Sequence, residues 1–345
     1  MSTPGLLGLA LALSLSLGAC GESPAEGVAG QDAATCDAVG EVQFICDLIS
    51  PEDLAVVPGA DWVIASGDQE GGRIQLVSVP DKTATVLFPT SPSRERLDAA
   101  TYPSCPGPLP DEGDAFRAHG LYLTPGPGDV HTLLVVHHGS RESIEVFEVD
   151  ARARPVLTWI GCAVAPEGLG LNSVVALPEG GFATTSFATG DVWEWHTDTG
   201  WALIPGSENT AANGIEISED GRWLYIAGWA EEKLTRLSRG RTPVEKEVID
   251  LGFRPDNLRM SADGSVIFAA GHTDKDGNSI TEPREPLRET SNVATIDPQT
   301  LAVERIWVHP AMDGFVASTT AMQIRNEMWL GSYRGERIAY FPMPE

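Results

Sequence analysis

Hydrophobic positions alternate with polar ones in short runs, and the runs come in pairs around tight turns. The clearest unit is 210–238, TAANGIEISEDGRWLYIAGWAEEKLTRLS. Ile215 and Ile217 lead into an Asp220-Gly221 turn, a second alternating run passes through Trp223, Tyr225 and Ala227, and a third begins at Lys233. Period-two alternation interrupted by a turn-forming pair predicts strand, turn, strand. The plan recurs in LAVVPGADWVIASG from Leu54, LYLTPGPGDVHTLLVVHHG from Leu121, VVALPEGGFATTSF from Val174, LRMSADGSVIFAAGH from Leu258 and AMQIRNEMWLGSY from Ala321. Each copy is followed by a further alternating stretch: RIQLVSV, SIEVFEV, DVWEWH, KLTRLS, NVATID and RIAYFPM in chain order. Copies at intervals of roughly 40 to 65 residues predict four-stranded blades around an axis, an all-β six-bladed β-propeller. The segment EVQFICDL at 41–48 precedes the first copy and is expected to join the last blade beside 337–343, closing the ring.

Composition leaves this picture intact and narrows the partners. The chain carries 49 acidic against 23 basic residues, a formal net charge of −26, which excludes nucleic acid and anionic membrane surfaces and favours cations. Residues 5–19, GLLGLALALSLSLGA, are apolar but short for a membrane span and end in small residues before Cys20. They predict an export signal over 1–19. The run Leu17-Gly18-Ala19-Cys20 resembles a bacterial lipobox, although Met1 to Gly5 holds no Lys or Arg. A lipid on Cys20 would then be the sole membrane attachment, with 20–35 as a flexible tether and 36–345 as the propeller. Four cysteines remain for an oxidising compartment, with three connectivities open; Cys36 with Cys46 and Cys105 with Cys162 are favoured, the second pinning a long Pro/Gly/Ser-rich loop at 91–116. A second excursion, 273–289, is charged and expected to be mobile. Oligomeric state is not legible.

The residues just ahead of the first strand of each copy are Glu52-Asp53, His119-Gly120, Asn172-Ser173, Asn213-Gly214, Asp256-Asn257 and Ser318-Thr319-Thr320. All are polar. First strands line the channel of a propeller, so this shared register is expected to deliver carboxylates, amide carbonyls and an imidazole to one mouth. Hard oxygen donors without thiolates suit Ca²⁺ better than zinc or copper. Turn and cap duty would explain any one such residue, but not the same register in five copies.

At these residues the sequence resembles a family. AANGIEISEDGRWLYIA, FRAHGLYL with LLVVHHGSRESIEVFEVD, FRPDNLRMSADG and ASTTAMQIRNEMWLGSY resemble the paraoxonase/arylesterase branch of the SMP-30/gluconolactonase superfamily, which includes calcium-dependent phosphotriesterases. The resemblance covers most of the chain from about Cys46 onward. It implies a six-bladed propeller with a catalytic calcium in the channel, hydrolysing small-molecule lactones and aryl esters. Carried over by motif, the calcium ligands are Glu52, Asn172, Asn213, Asp256 and Asn257, and the histidine pair for proton transfer is His119 and His138. The family's second, structural calcium leans on an Asp directly after the Asn of the third copy, where this chain has Ser173. Asp53 and the Leu121 carbonyl remain as ligands, but a neutral Ser weakens the site, so one calcium is expected and a second is not.

His119, in the ligand register, is the candidate base, with His138 one strand away as relay, while Asp256 could act as base or nucleophile beside the metal. His137 is expected to face the other side of its strand and to be structural. Trp193, Trp195, Trp223 and Trp229 are expected to pack within blades. Sugar-lactone hydrolysis and a phosphotriesterase side activity are close alternatives. The alternative from another class is a surface-anchored propeller that binds a ligand or protein without chemistry.

Overall fold

The computed structural model describes residues 36–109, 116–274 and 289–344. The predicted export segment, Cys20 and the tether lie outside them, as do 110–115 and 275–288 of the two long excursions. Among the described residues, twenty-four strands form six four-stranded antiparallel sheets. Each blade opens on an inner strand: β2 (Leu54–Val56), β6 (Phe116–Thr124), β10 (Leu171–Ala176), β14 (Ala212–Ile217), β18 (Arg254–Met260) and β22 (Thr320–Ile324). Each inner strand adjoins the next around a closed ring. The six-bladed β-propeller expected from the repeats is the fold found.

Closure occurs as predicted. Strand β1 (Gln43–Ile45) pairs antiparallel with β24 (Ile338–Pro342) and completes the sheet that β22 begins. Phe44 and Ile45 are buried, which stabilises the closure by roughly 1.5–3 kcal/mol for each side chain. The Cys36–Cys46 disulfide staples this strand, and Cys105–Cys162 is the other bridge, so both favoured pairings are present.

Alternation decides which neighbour each side chain meets. In β7 (Val130–Gly139), Leu133 and Val135 pack with Ile64 and Leu76 of the preceding blade, whereas Leu134 and Val136 pack with Val174 and Phe182 of the following one. In β19 (Ile267–Thr273) the same split sends Ile267 and Ala269 one way and Phe268 and Ala270 the other. Blades buried on both faces explain why middle strands read as nearly continuous apolar runs. Outer strands such as β17 (Lys246–Asp250, KEVID) are charged and exposed, which protects the sheet edge.

The stretch at 91–109 is less of a free loop than its composition predicts. Glu95 pairs in parallel with Trp159 of β9 (Val156–Val164), and the Arg96 and Asp98 amides donate to the Trp159 and Ile160 carbonyls at 2.9 and 2.8 Å. It follows the outer rim of the second blade and approaches the mouth at Gly107, whose carbonyl accepts from Arg141 at 2.9 Å.

Candidate functional site

Four of the polar pairs occupy β-bulges. The ladder of β6 with β7 skips from Ala118 to Leu121, that of β10 from Leu171 to Val174, that of β14 from Ala212 to Ile215 and that of β18 from Pro255 to Leu258. In each, two residues face one on the partner strand. Such a bulge releases side chains from the alternation and turns them toward the channel mouth. The released residues are His119-Gly120, Asn172-Ser173, Asn213-Gly214 and Asp256-Asn257. In the first blade Glu52-Asp53 precede β2 directly. Adjacent bulges touch: a Cβ on Gly120 would lie 2.4 Å from the Asn172 carbonyl oxygen, and one on Gly214 would lie 2.1 Å from that of Asp256. Only glycine permits that approach.

Of Ser318-Thr319-Thr320, the sixth expected contributor, Ser318 and Thr319 serve the ring instead, while the buried Thr320 hydroxyl has no hydrogen-bond partner. Thr319 donates its hydroxyl to the Glu52 carbonyl at 2.6 Å and accepts from the Asn257 amide at 2.8 Å, and Ser318 donates to the Gly271 carbonyl at 3.0 Å.

Glu52, Asn172, Asn213, Asp256 and Asn257 are all buried. The Asn257 side-chain Nδ2 donates to Glu52 Oε1 at 2.7 Å. Glu52 Oε2, Asn172 Oδ1, Asn213 Oδ1 and Asn257 Oδ1 are buried without a hydrogen-bond donor. Leaving a buried acceptor unmade costs about 1–3 kcal/mol, and more for a charged one, so four such oxygens at one mouth fit a cation. Burial, reinforced by the charges of Asp53, Asp256 and Asp68, holds the Glu52 carboxyl well above its usual range. A bound dication would reverse that balance. The donor set fits calcium.

Beside these oxygens runs a hydrogen-bonded chain. His119 Nδ1 lies 2.9 Å from His138 Nε2, and His138 Nδ1 lies 2.7 Å from Glu142 Oε2. Glu142 Oε1 accepts from the Leu171 amide at 2.6 Å, next to Asn172. A carboxylate only accepts, so His138 carries its proton on Nδ1 and His119 donates from its own Nδ1. His119 Nε2 is then the unprotonated nitrogen. It faces Glu52 Oε2 at 3.7 Å and Asp68 Oδ2 at 3.9 Å. Burial pushes the His119 pKa below 6.5 although Asp68 pulls the other way. Asp68, His119 and His138 place three ligand-type atoms within 4.8 Å of one another. The two imidazoles are committed to each other, and Asp68 accepts from Arg117 at 2.6 Å, so the trio is better suited to holding a proton than a metal.

Asp68 and Glu142 were not singled out in the sequence. Both sit in loops that follow the second strand of neighbouring blades, and a charged residue in a short Gly-containing loop at the ligand mouth was the available signal. His137 is structural, as expected: it is buried and stacked on Phe116 at 5.1 Å, and burial pushes its pKa down to about 4. Trp195 packs as expected between Tyr102 and Phe182. Trp229 departs from expectation. It follows β15 (Trp223–Gly228) at the ligand mouth, where its amide donates to the carbonyl of Ala211, just before β14. A file of rings crosses that mouth: Phe187 to Trp229 at 5.7 Å, Trp229 to His272 at 5.8 Å and His272 to Tyr333 at 6.2 Å. Phe187 is 52% exposed.

Serum paraoxonase/arylesterase 1 of Homo sapiens is 22% identical over 312 residues, covering 77% of this chain and 82% of the human protein. In sequence the chain resembles this human enzyme. A gluconolactonase from Xanthomonas campestris superposes with a TM-score of 0.54 at 14% identity, covering 88% of this chain and 89% of its own. A luciferin-regenerating enzyme superposes with a TM-score of 0.55 at 11% identity, covering 88% and 95%. At such identities these two structures share the fold alone. No protein-family model matches the chain. The chain is thus similar in sequence to the human enzyme and in fold to the gluconolactonase, the two likenesses that its motifs led us to expect.

Proposed function

We propose that the protein is a calcium-dependent hydrolase of lactones or aryl esters. The carrying observation is the set of four donor-less buried oxygens, Glu52 Oε2 and the Oδ1 atoms of Asn172, Asn213 and Asn257, beside an imidazole nitrogen left unprotonated. With Asp256, these residues would hold the ion. Calcium there would supply Lewis acidity, polarising the ester carbonyl and stabilising the charge that develops on its oxygen.

The chain's own groups do the proton work. His119 Nε2 takes a proton from the attacking water as its oxygen bonds to the carbonyl carbon. The ester C–O bond breaks, and the departing oxygen takes the proton held on His119 Nε2, which restores the neutral imidazole and leaves the carboxylic acid. His138, locked by Glu142, accepts the hydrogen bond from His119 Nδ1 and so keeps Nε2 pointed at the mouth. Positive charge gathering on His119 is met by Asp68 and Glu52. The rings of Phe187, Trp229 and Tyr333 offer an apolar wall for the acyl or aryl group. Two disulfides fit an exported protein, with Cys20 as the residue that would carry a lipid anchor.

Hydrolysis of phenyl acetate and a panel of γ- and δ-lactones, with calcium and then with EGTA, tests this. Turnover lost on chelation and restored by calcium is the expected result. No turnover, with calcium still raising the melting temperature, would move the protein to the class of binding modules.

A further inference from the structure

Below the ligand mouth the channel narrows to a waist occupied by a side chain. We propose that the guanidinium of Arg259 is a built-in cation, standing where a second metal ion would otherwise be required, so that the centre of the propeller is held without any structural metal.

The oxygens gathered there come from separate blades. They are the Asp53 carboxylate and Leu54 carbonyl of the first blade, the Leu121 carbonyl of the second and the Leu258 carbonyl of the fifth. A carboxylate with converging backbone carbonyls is donor chemistry that suits a hard dication. Here each oxygen already has a donor. Arg259 Nη2 bonds Asp53 Oδ2 and donates to the Leu121 carbonyl at 3.0 Å, Nε donates to the Leu54 carbonyl at 3.3 Å and Nη1 to the Leu258 carbonyl at 2.7 Å. The second Asp53 oxygen accepts from the Leu54 amide at 2.8 Å, and the Leu121 amide donates to Oδ2 at 2.7 Å. Asp53 is fully buried and Arg259 is 7% exposed.

Charge agrees with geometry. Blade three contributes a neutral Ser173 in its bulge and no carboxylate. Asp53 carries one negative charge, which one guanidinium balances. Glu216, the next carboxyl to feel the Arg259 charge, spends both oxygens on the amides of Ile217 and Met260 at 2.8 and 2.9 Å. Beyond Arg259 the channel opens into a cavity of about 1280 Å³ at the opposite mouth, so the guanidinium also forms its floor. A planar fork with five donors spans three blades in a way that one ammonium cannot. Because the cation is tethered, its occupancy does not depend on calcium concentration, unlike that of a bound ion. This holds whether or not the upper oxygens bind calcium.

The test is calorimetric melting of the full chain in EGTA and in calcium, together with a count of calcium ions bound, for the wild type, Arg259→Met and Arg259→Lys. The wild type is expected to melt cooperatively in EGTA and to bind no more than one ion. Arg259→Met should melt lower by roughly 5–15 °C, and Arg259→Lys by less. Two tightly bound ions in the wild type, or loss of its cooperative melt on chelation, would overturn the proposal, and neither result requires the variants to fold. A count of zero with the cooperative melt retained supports Arg259 and removes instead the proposed catalytic calcium.

Discussion

Glu52 and Asp53 are consecutive carboxylates, both buried, and they meet opposite fates. Glu52 turns to the upper mouth, where its Oε2 and three amide oxygens have no donor. Asp53 turns to the waist, where both oxygens are satisfied by backbone amides and Arg259. One region is completed only by something from outside, while the other is complete in itself. Burying a carboxylate is costly in both places. The difference lies in where the compensating charge resides, and in the function proposed above it separates the part of the channel assigned the chemistry from the part assigned to holding the ring together.

The sharpest way to break that comparison is Glu52→Gln. It should remove tight calcium binding and lower kcat/KM by at least ~10³-fold, comparable to losing a main electrostatic contributor, while leaving the fold in place. Isothermal titration with calcium and phenyl acetate kinetics check this, and retained calcium affinity would take Glu52 out of the site. His119→Gln should cost about 10²–10⁴-fold in kcat. Calcium affinity should stay near wild type if the imidazole acts as the proposed base and not as a ligand.

Asp53→Ala should act on the fold, destabilising it by about 3–5 kcal/mol because the Arg259 charge is left buried without its partner. Urea unfolding measures that loss; an unchanged midpoint would show that the waist does not carry the ring. Glu142→Gln turns one of the two acceptor oxygens into an NH2 donor, so the bonds from the Leu171 amide and from His138 Nδ1 cannot both be kept and the His138 tautomer is no longer fixed. Its effect on kcat should be smaller than the ~10²-fold minimum for losing the base itself, with a shifted pH profile and unaltered calcium binding.

The smallest effect is the pH dependence of calcium binding. Burial raises the folded Glu52 pKa well above 4.5, with Asp53, Asp256 and Asp68 adding to it. Ionising Glu52 to hold a cation therefore releases a proton, and calcium affinity rises as pH climbs from about 4.5 through the raised value. Over that window the ion-free fold binds more protons than the unfolded chain and loses stability as pH rises. Melting curves with and without calcium across the window should converge at its acidic end and separate at its upper end.

Much of this was legible along the chain. Turn pairs such as Asp220-Gly221 and the alternation of Trp223, Tyr225 and Ala227 marked the blades, and EVQFICDL announced the closing strand. The shared register ahead of each first strand marked Glu52, Asn172, Asn213 and Asp256-Asn257 as one group before any coordinates. Ser318-Thr319 fitted that register equally well but bonds to neighbouring blades, and nothing in its sequence distinguishes the two uses. Arg259 and Glu216 occupy the same register in adjacent repeats, one residue past the first core position, and that was the signal for a charged waist.

By itself the sequence determined what depends on local period and local chemistry: the number of blades, their strand order and the polar positions at the inner-strand starts. These follow from alternation and turn propensity, which act over a few residues. Only the tertiary structure decided which polar oxygens would be left without donors and which would be matched. The bulges that release Asn172 and Asn213, the glycines that let them approach, and the guanidinium that reaches from the fifth blade to Asp53 of the first all depend on closing the ring. Two neighbouring carboxylates acquire different roles because closure brings an arginine to one of them and amide oxygens to the other.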